Sequence, residues 1–231
     1  VSVKTKRKSC TAVIVAAGTA SRMNGIDKML APLDGVPLLL RTVRAVASSR
    51  RVDRIAIVTR ADLKERVREL CGGEKKVCAV IVGGATRAES VLRGLQGVKT
   101  ELAAIQDGAR PLVTSELIDA AVETAERVGA AAPAVSVHDT VKIAANGLVE
   151  ATPERSTLFA VQTPQVFDTD RIRAALKAAL ERGLPLTDDC SAAEAAGLPV
   201  TLTAGSEENI KVTTPLDLLV AEAILKRRDA T

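Results

Sequence analysis

The sequence has no tryptophan and no tyrosine, and its only aromatic rings besides His138 are Phe159 and Phe167. A core without large rings has to be tiled with Ala, Val, Leu and Ile. The lack of stacking platforms also argues against a single-stranded nucleic-acid binder, which relies on them. His138 is the sole histidine, and no plausible Ser/His/Asp set is present for nucleophilic catalysis. The four cysteines, Cys10, Cys71, Cys78 and Cys190, form no CxxC pair, so zinc and a disulfide framework drop out of the expectations. No apolar run approaches the roughly 20 residues that span a bilayer. The basic start of the chain leads into a strand-like run and a glycine turn rather than a secretory leader, so a reducing cytoplasm and no membrane partner are expected.

What is present suits one sizeable core: 231 residues with 47% hydrophobic content predict a single domain over 1–231. Lys and Arg number 32 against 28 Asp and Glu, a net charge of +4. The excess is spread along the chain apart from a short run at Lys4, Lys6, Arg7 and Lys8. Such mild basicity fits a phosphorylated small substrate, and with so few aromatics no nucleic-acid partner is expected.

Nearly continuous apolar runs at 12–16, 54–59, 77–82 and 102–106 read as strands covered on both faces. Helix punctuation lies between them. Pro37 opens one helix, Asp62 with Glu65 forms a capping box for the next, and Gly129 closes the helix beginning near Ser115. Further on, a helix over 168–182 ends at Gly183, and a last one starts with Thr214 as cap and Pro215 as first residue. Repeated strand, helix, strand units imply an α/β fold built on a doubly wound, mostly parallel sheet. Ligands in such sheets bind beyond the carboxyl ends of the strands, here the loops after Ala16, Val82 and Gln106. One segment breaks the alternation: around Asn146-Gly147, two short arms predict a β-hairpin over about 138–153. A two-stranded hairpin is marginal by itself, so it is expected to pack on something, with a second copy of the chain as the expected partner.

The loop segment VIVAAGTASRMNGIDKML ends a strand in small residues and then brings Arg22 and Lys28 close behind. Exposed N–H groups of a tight loop form an anion nest, and two cations beside it would neutralise a triphosphate. The segment has neither the P-loop nor the GxGxxG spacing. Gly83-Gly84-Ala85-Thr86-Arg87-Ala88-Glu89-Ser90 follows the third strand, and Asp107-Gly108-Ala109-Arg110-Pro111 the fourth. An acidic residue at a strand end is where a magnesium ion bridging phosphates would be held. Glu208 to Thr213, with Lys211 among them, directly precede the last helix.

In this order, AAG, Arg22-Met23, Lys28, Leu33-Asp34-Gly35-x-Pro37, GG-x-x-Arg87-x-x-Ser90, DGARP, HDTVK, TPQ, TDD and NIKVT, the chain resembles the 2-C-methyl-D-erythritol 4-phosphate cytidylyltransferases, from about residue 12 to about 222. The resemblance implies a Rossmann-like nucleotidyltransferase domain that uses CTP, a polyol phosphate and Mg²⁺ or another divalent cation, and that dimerises through the β-arm. It places Ala16, Ala17, Gly18, Gly84, Ser90, Asp107 and Gly108 around CTP. Arg22, Lys28 and Lys211 fall on the cations that act on its phosphates, and Asp107 on the metal. Asp107, Arg110, Asp139, Thr140, Arg155 and Thr163 match the acceptor-binding set, in which the arm reaches the partner's site. Attack by the acceptor phosphate on the α-phosphorus of CTP would need no general base. An enzyme acting on D-ribitol 5-phosphate and a non-catalytic nucleotide binder of the same fold are the alternatives.

The chain departs from the family pattern at Ala20, where a glycine is frequent, at Asp27 for proline, at Ala85 for Asp and at Gly108 for Ala. The Met-to-Lys spacing is also about one residue shorter than in some relatives. Asp27 brings a carboxylate beside Lys28 that could compete with phosphate for that cation.

Overall fold

The computed structural model describes residues 7–18, 22–23 and 26–230, with the backbone alone for Arg22, Met23 and Ile26. Ala20 and the basic residues Lys4 and Lys6 lie outside the described residues. Strands β1 (Cys10–Ala16), β2 (Arg54–Thr59), β3 (Val77–Val82) and β4 (Leu102–Asp107) are parallel neighbours in the order β4, β1, β2, β3. In β1, Ala12, Ile14 and Ala16 face one core while Val13 faces the other, the period-2 alternation of a strand buried on both sides. Helices α1 (Leu38–Ser48), α2 (Lys64–Cys71) and α4 (Ser115–Val128) cover the first face, and α3 (Arg87–Leu95) covers the second.

The sheet then turns mixed. β5 (Ala130–Ser136) is followed by β8 (Phe159–Val161) and β9 (Gln165–Asp168), both antiparallel to β5, and β9 also runs antiparallel to β4. Between β5 and β8 the chain makes the hairpin β6 (Ile143–Ala145) and β7 (Leu148–Ala151). Its turn residues Asn146 and Gly147 have φ of 51° and 80°, as the sequence pair requires. α5 (Thr169–Glu181) and α6 (Asp189–Ala195) join the second core, β10 (Thr201–Ala204) pairs parallel with β5, and α7 (Pro215–Asp229) closes over the first core through Ala221. Among the described residues no helix is long and apolar enough to cross a membrane.

Helix ends follow their chemistry in most places. Gly129 adopts φ 96° after α4, and Thr214 with Asp217 closes a capping box at α7. Pro37 sits one residue ahead of α1, at its cap. The expected Asp62/Glu65 box is absent: a 3₁₀ turn over Ala61–Leu63 intervenes and Leu63 caps α2 without a side-chain bond. The reason is competition, because both carboxylate oxygens of Asp62 are taken by Arg60.

α3 lies close on the sheet at Gly94, where an added Cβ would come within 2.5 Å of Val13 and 2.7 Å of Val58. Helix propensity would favour Gly94→Ala by about 1 kcal/mol, but overpacking a close-packed layer costs about 1–3 kcal/mol. The steric cost wins, so Gly94→Ala is expected to be less stable than the parent by about 1 kcal/mol in urea unfolding.

Candidate active site

Because β1 to β4 run parallel, their carboxyl ends come to one rim: Ala16 lies beside Thr59, Val15 beside Asp107 and Thr59 beside Val82. The loops leaving these ends line a cavity of about 550 Å³ whose wall includes Ala16, Ala17, Gly18, Lys28, Arg60, Gly84, Arg87, Ser90, Asp107 and Lys211. It sits at the carboxyl ends of β1 and β4, neighbours whose outgoing connections run in opposite directions, from β1 toward β2 and from β4 toward β5, the usual ligand position of a doubly wound fold.

Each loop is shaped by local bonds. Ser90 Oγ donates to Thr86 O at 2.9 Å and accepts from Gly84 N at 3.0 Å, so the Ser90 hydroxyl is spent on holding the glycine loop. A Cβ on Gly84 would meet Glu89 Cβ at 2.4 Å, so no larger residue fits the turn. Thr86 Oγ1 accepts from Glu89 N at 3.1 Å and caps α3, whose first turn lines the cavity through Arg87 and Ser90. Lys211 is far from this rim in sequence and is brought there by a staple. Val212 N donates to Ala109 O at 2.8 Å, Arg110 donates to Asn209 O, and buried Asn209 donates to Thr163 O at 3.1 Å.

At the centre is Asp107. Lys211 Nζ is 2.8 Å from Oδ2, Arg87 Nη2 is 3.2 Å from Oδ1 and Arg110 Nε is 4.0 Å from Oδ2. Arg87 Nη2 also donates to Asp189 Oδ2 at 2.8 Å, linking the cavity wall to the start of α6. Burial pushes the Asp107 carboxyl up, but Arg87, Lys211 and Arg110 together outweigh it and hold the group below its ordinary value. Desolvation likewise works to lower Arg87, and its two carboxylates overcome this and raise it. Asp189 is fully buried, and desolvation drives its carboxyl up against the pull of Arg87. Lys28 is lowered by burial first and by the nearby Lys211 second. The result is a cationic wall around one carboxylate, suited to a polyanion.

The family model for 2-C-methyl-D-erythritol 4-phosphate cytidylyltransferase matches residues 10–227. The chain belongs to that family. A protein of this name from Desulforamulus reducens is 45% identical over 225 residues, covering 94% of this chain and 96% of that one. Another from Geobacillus kaustophilus is 44% identical over 224 residues, 95% and 98% of the two chains. The crystal structure of 4-diphosphocytidyl-2C-methyl-D-erythritol synthase from Anaerococcus prevotii aligns with a TM-score of 0.86 at 28% identity, over 96% of this chain and all of that one. That of the cytidylyltransferase from Thermus thermophilus aligns with a TM-score of 0.77 at 32% identity, over 93% and 98%. The fold is therefore the α/β nucleotidyltransferase fold of this cytidylyltransferase family.

Of the cytidylyltransferase residues expected from sequence, Ala16, Ala17, Gly18, Lys28, Gly84, Ser90, Asp107 and Lys211 share the cavity. The Arg22 side chain lies outside the described residues, although its backbone pairs with Asp27 in a two-residue ladder. Gly108 packs behind the wall, where an added Cβ would meet Ala16 Cβ at 3.0 Å. Thr163 is buried, and its Oγ1 accepts from Asp107 N at 3.1 Å, so it braces the backbone that carries the carboxylate. Asp139, Thr140 and Arg155 are exposed and line no part of the cavity; Arg155 donates to His138 O at 2.9 Å beside a separate shallow cleft. Arg60 and Asp189 are not among the expected site residues, although Asp189 ends the TDD motif of the resemblance. Arg60 follows a strand end, which was a usable signal, whereas only the fold brings Asp189 to Arg87. Among the described residues no group of three or more His, Cys, Asp and Glu is arranged to hold a metal.

Removing the Asp107 carboxylate would leave Arg87, Arg110 and Lys211 facing one another, and breaking such a buried arrangement costs about 3 kcal/mol. A carboxyl held below its ordinary value contributes stability above the unfolded pKa of about 4 and loses it as pH falls through the folded value. Asp107→Ala is thus expected to unfold about 3 kcal/mol more easily at pH 7, with the gap to the parent narrowing below about pH 4 in denaturant titrations.

Proposed function

We propose that this chain transfers CMP from CTP to 2-C-methyl-D-erythritol 4-phosphate and releases pyrophosphate. The observation that carries the reading is the meeting of Lys28, Arg87, Asp107 and Lys211 on one cavity at the rim of the parallel strands, within a chain of the cytidylyltransferase family. The acceptor's phosphate oxygen is already an anion at neutral pH. It attacks the α-phosphorus in line, so the protein supplies position and charge rather than a base or a nucleophile. Lys28, Lys211 and, by sequence, Arg22 neutralise the phosphates and the charge that develops on the leaving pyrophosphate. The small residues Ala16 to Gly18 and the tight turn at Gly84 hold the cytidine end and leave little room for a purine.

A divalent cation fits this wall in one way. Asp107 offers the carboxylate oxygens, and Mg²⁺ takes one or two carboxylates together with substrate phosphates rather than a full protein cage. Asp107 would hold it with the nucleotide, where it would draw charge off the phosphate oxygens. Lys211, now paired with Asp107, is then available to phosphate.

The acceptor set is divided in a single protomer. Arg110 and Thr163 stand at Asp107, while Asp139, Thr140 and Arg155 lie at the base of the hairpin arm. The arm exposes Val141, Ile143, Leu148 and Val149, a large apolar surface for a two-stranded element. Both features support a homodimer in which the arm of one subunit completes the acceptor site of the other, with Arg155 gripping the acceptor phosphate through its planar guanidinium.

Pyrophosphate release with CTP, Mg²⁺ and either the methylerythritol phosphate or D-ribitol 5-phosphate tests the substrate, and turnover of the ribitol ester alone would overturn the assignment. Lys28→Ala and Lys211→Ala are each expected to lower kcat by about 10²- to 10³-fold with an unchanged circular dichroism spectrum. Arg155→Ala should raise the acceptor KM at least tenfold more than the CTP KM, and a variant made monomeric in the arm should be nearly inactive by the same assay.

A further inference from the structure

Arg60 lines the cavity, yet its guanidinium is already occupied. Nε and Nη2 bind the two oxygens of Asp62 at 3.0 and 2.9 Å, which turns Nη1 onto Asp27 Oδ2 at 2.5 Å. The other oxygen of Asp27 accepts from Met29 N at 2.8 Å. Asp27 directly precedes Lys28, and Met29 on the other side of Lys28 is buried in the core. The backbone that carries Lys28 is therefore anchored behind by an apolar side chain and in front by a carboxylate tied to the last turn of the sheet rim.

The dihedrals of Asp27 give this anchor a meaning. Its φ of −60° is the value that a proline ring would enforce covalently and its ψ of 130° lies in the polyproline region open to proline, whereas an aspartate is free to leave both. We infer that Arg60 is a positioning residue: through Asp27 it fixes the backbone at the base of Lys28, doing by an ion pair what a proline would do by its ring, and it is not itself a ligand of the nucleotide. The same contact removes a second difficulty. An unpaired Asp27 carboxylate would lie one residue from Lys28 and compete with phosphate for its ammonium; bound to Arg60 and to the Met29 N–H, both its oxygens are spoken for. A small displacement at the base of a long side chain moves its charge by much more at the tip, and misplacements on the order of 1 Å can cost about 10²-fold in rate.

The inference rests on the reading of Lys28 as a phosphate contact, and the experiment separates the two. In the full-length enzyme, Arg60→Ala, Asp27→Asn, their double variant, Arg60→Ala combined with Asp27→Pro, and Lys28→Ala would be compared by steady-state pyrophosphate release. Arg60→Ala and Asp27→Asn should each lower kcat about tenfold while the CTP KM changes less than threefold, and the double should lose no more than either, since both cut one contact. Asp27→Pro placed in Arg60→Ala should bring kcat back to within about threefold of the parent, a rescue that a lost phosphate ligand could not show. Absence of that rescue, or a rise in the CTP KM with kcat unchanged in Arg60→Ala, would overturn the inference. Asp27→Asn leaves Arg60 paired with Asp62 and carries the test by itself if Arg60→Ala does not fold: parental turnover there would refute the positioning role. Parental turnover in Lys28→Ala would instead remove the reading of Lys28, and the inference with it.

Discussion

The Asp107 carboxylate is what allows this rim to exist. Lys28, Arg87, Arg110 and Lys211 gather around this buried carboxylate, and without a central anion their mutual repulsion would drive them apart. A carboxylate at the end of a central strand is a fixed counter-charge: it holds the cations in register before any substrate arrives. Its backbone is pinned by Thr163 and its side chain by Lys211 and Arg87, so the charges are preorganised rather than gathered at the moment of reaction. Asp189 extends the same logic one layer deeper by holding Arg87 from the side away from the cavity.

The cations do not come from one motif, and the packing explains how they meet. Lys28 is set by a 3₁₀ turn whose Met29 enters the core, Arg87 opens α3 after a capped glycine turn, and Lys211 rides on a strap bonded to the Asp107 loop. Each is fixed by its own contacts to the core or to a neighbouring loop, and they meet in one place because the parallel strands end together. The helix caps contribute to the same end. Asp217 accepts from Thr213 and Thr214, and these bonds draw its carboxyl down to about 2, locking the strap that carries Lys211 onto the start of α7.

Where local rules misled, an ion pair had intervened. The Asp62/Glu65 spacing is a sound helix-start signal, but Arg60 claims Asp62 and leaves the helix uncapped by a side chain. Asp27 beside Lys28 looks like a liability in the linear chain, yet in the fold its charge is met by Arg60. Both outcomes turn on the same guanidinium, whose place directly after a strand end marks it for the rim but says nothing of the two carboxylates it will meet.

The sequence by itself determined the parallel strands, the hairpin around Asn146-Gly147, the stops at Gly129 and Gly183 and the start of α7, because each is a local matter of periodicity, φ preference or capping. Motif order also made the family legible, and with it Lys28, Asp107 and Lys211. Only the tertiary structure decided that the sheet turns antiparallel at β9, that the Ser90 and Thr163 hydroxyls are spent as braces, that Arg155 lies away from the cavity of its own protomer, and that Asp189 holds Arg87. Those facts depend on which distant groups become neighbours once the core excludes water, and a buried charge takes whichever partner the packing delivers.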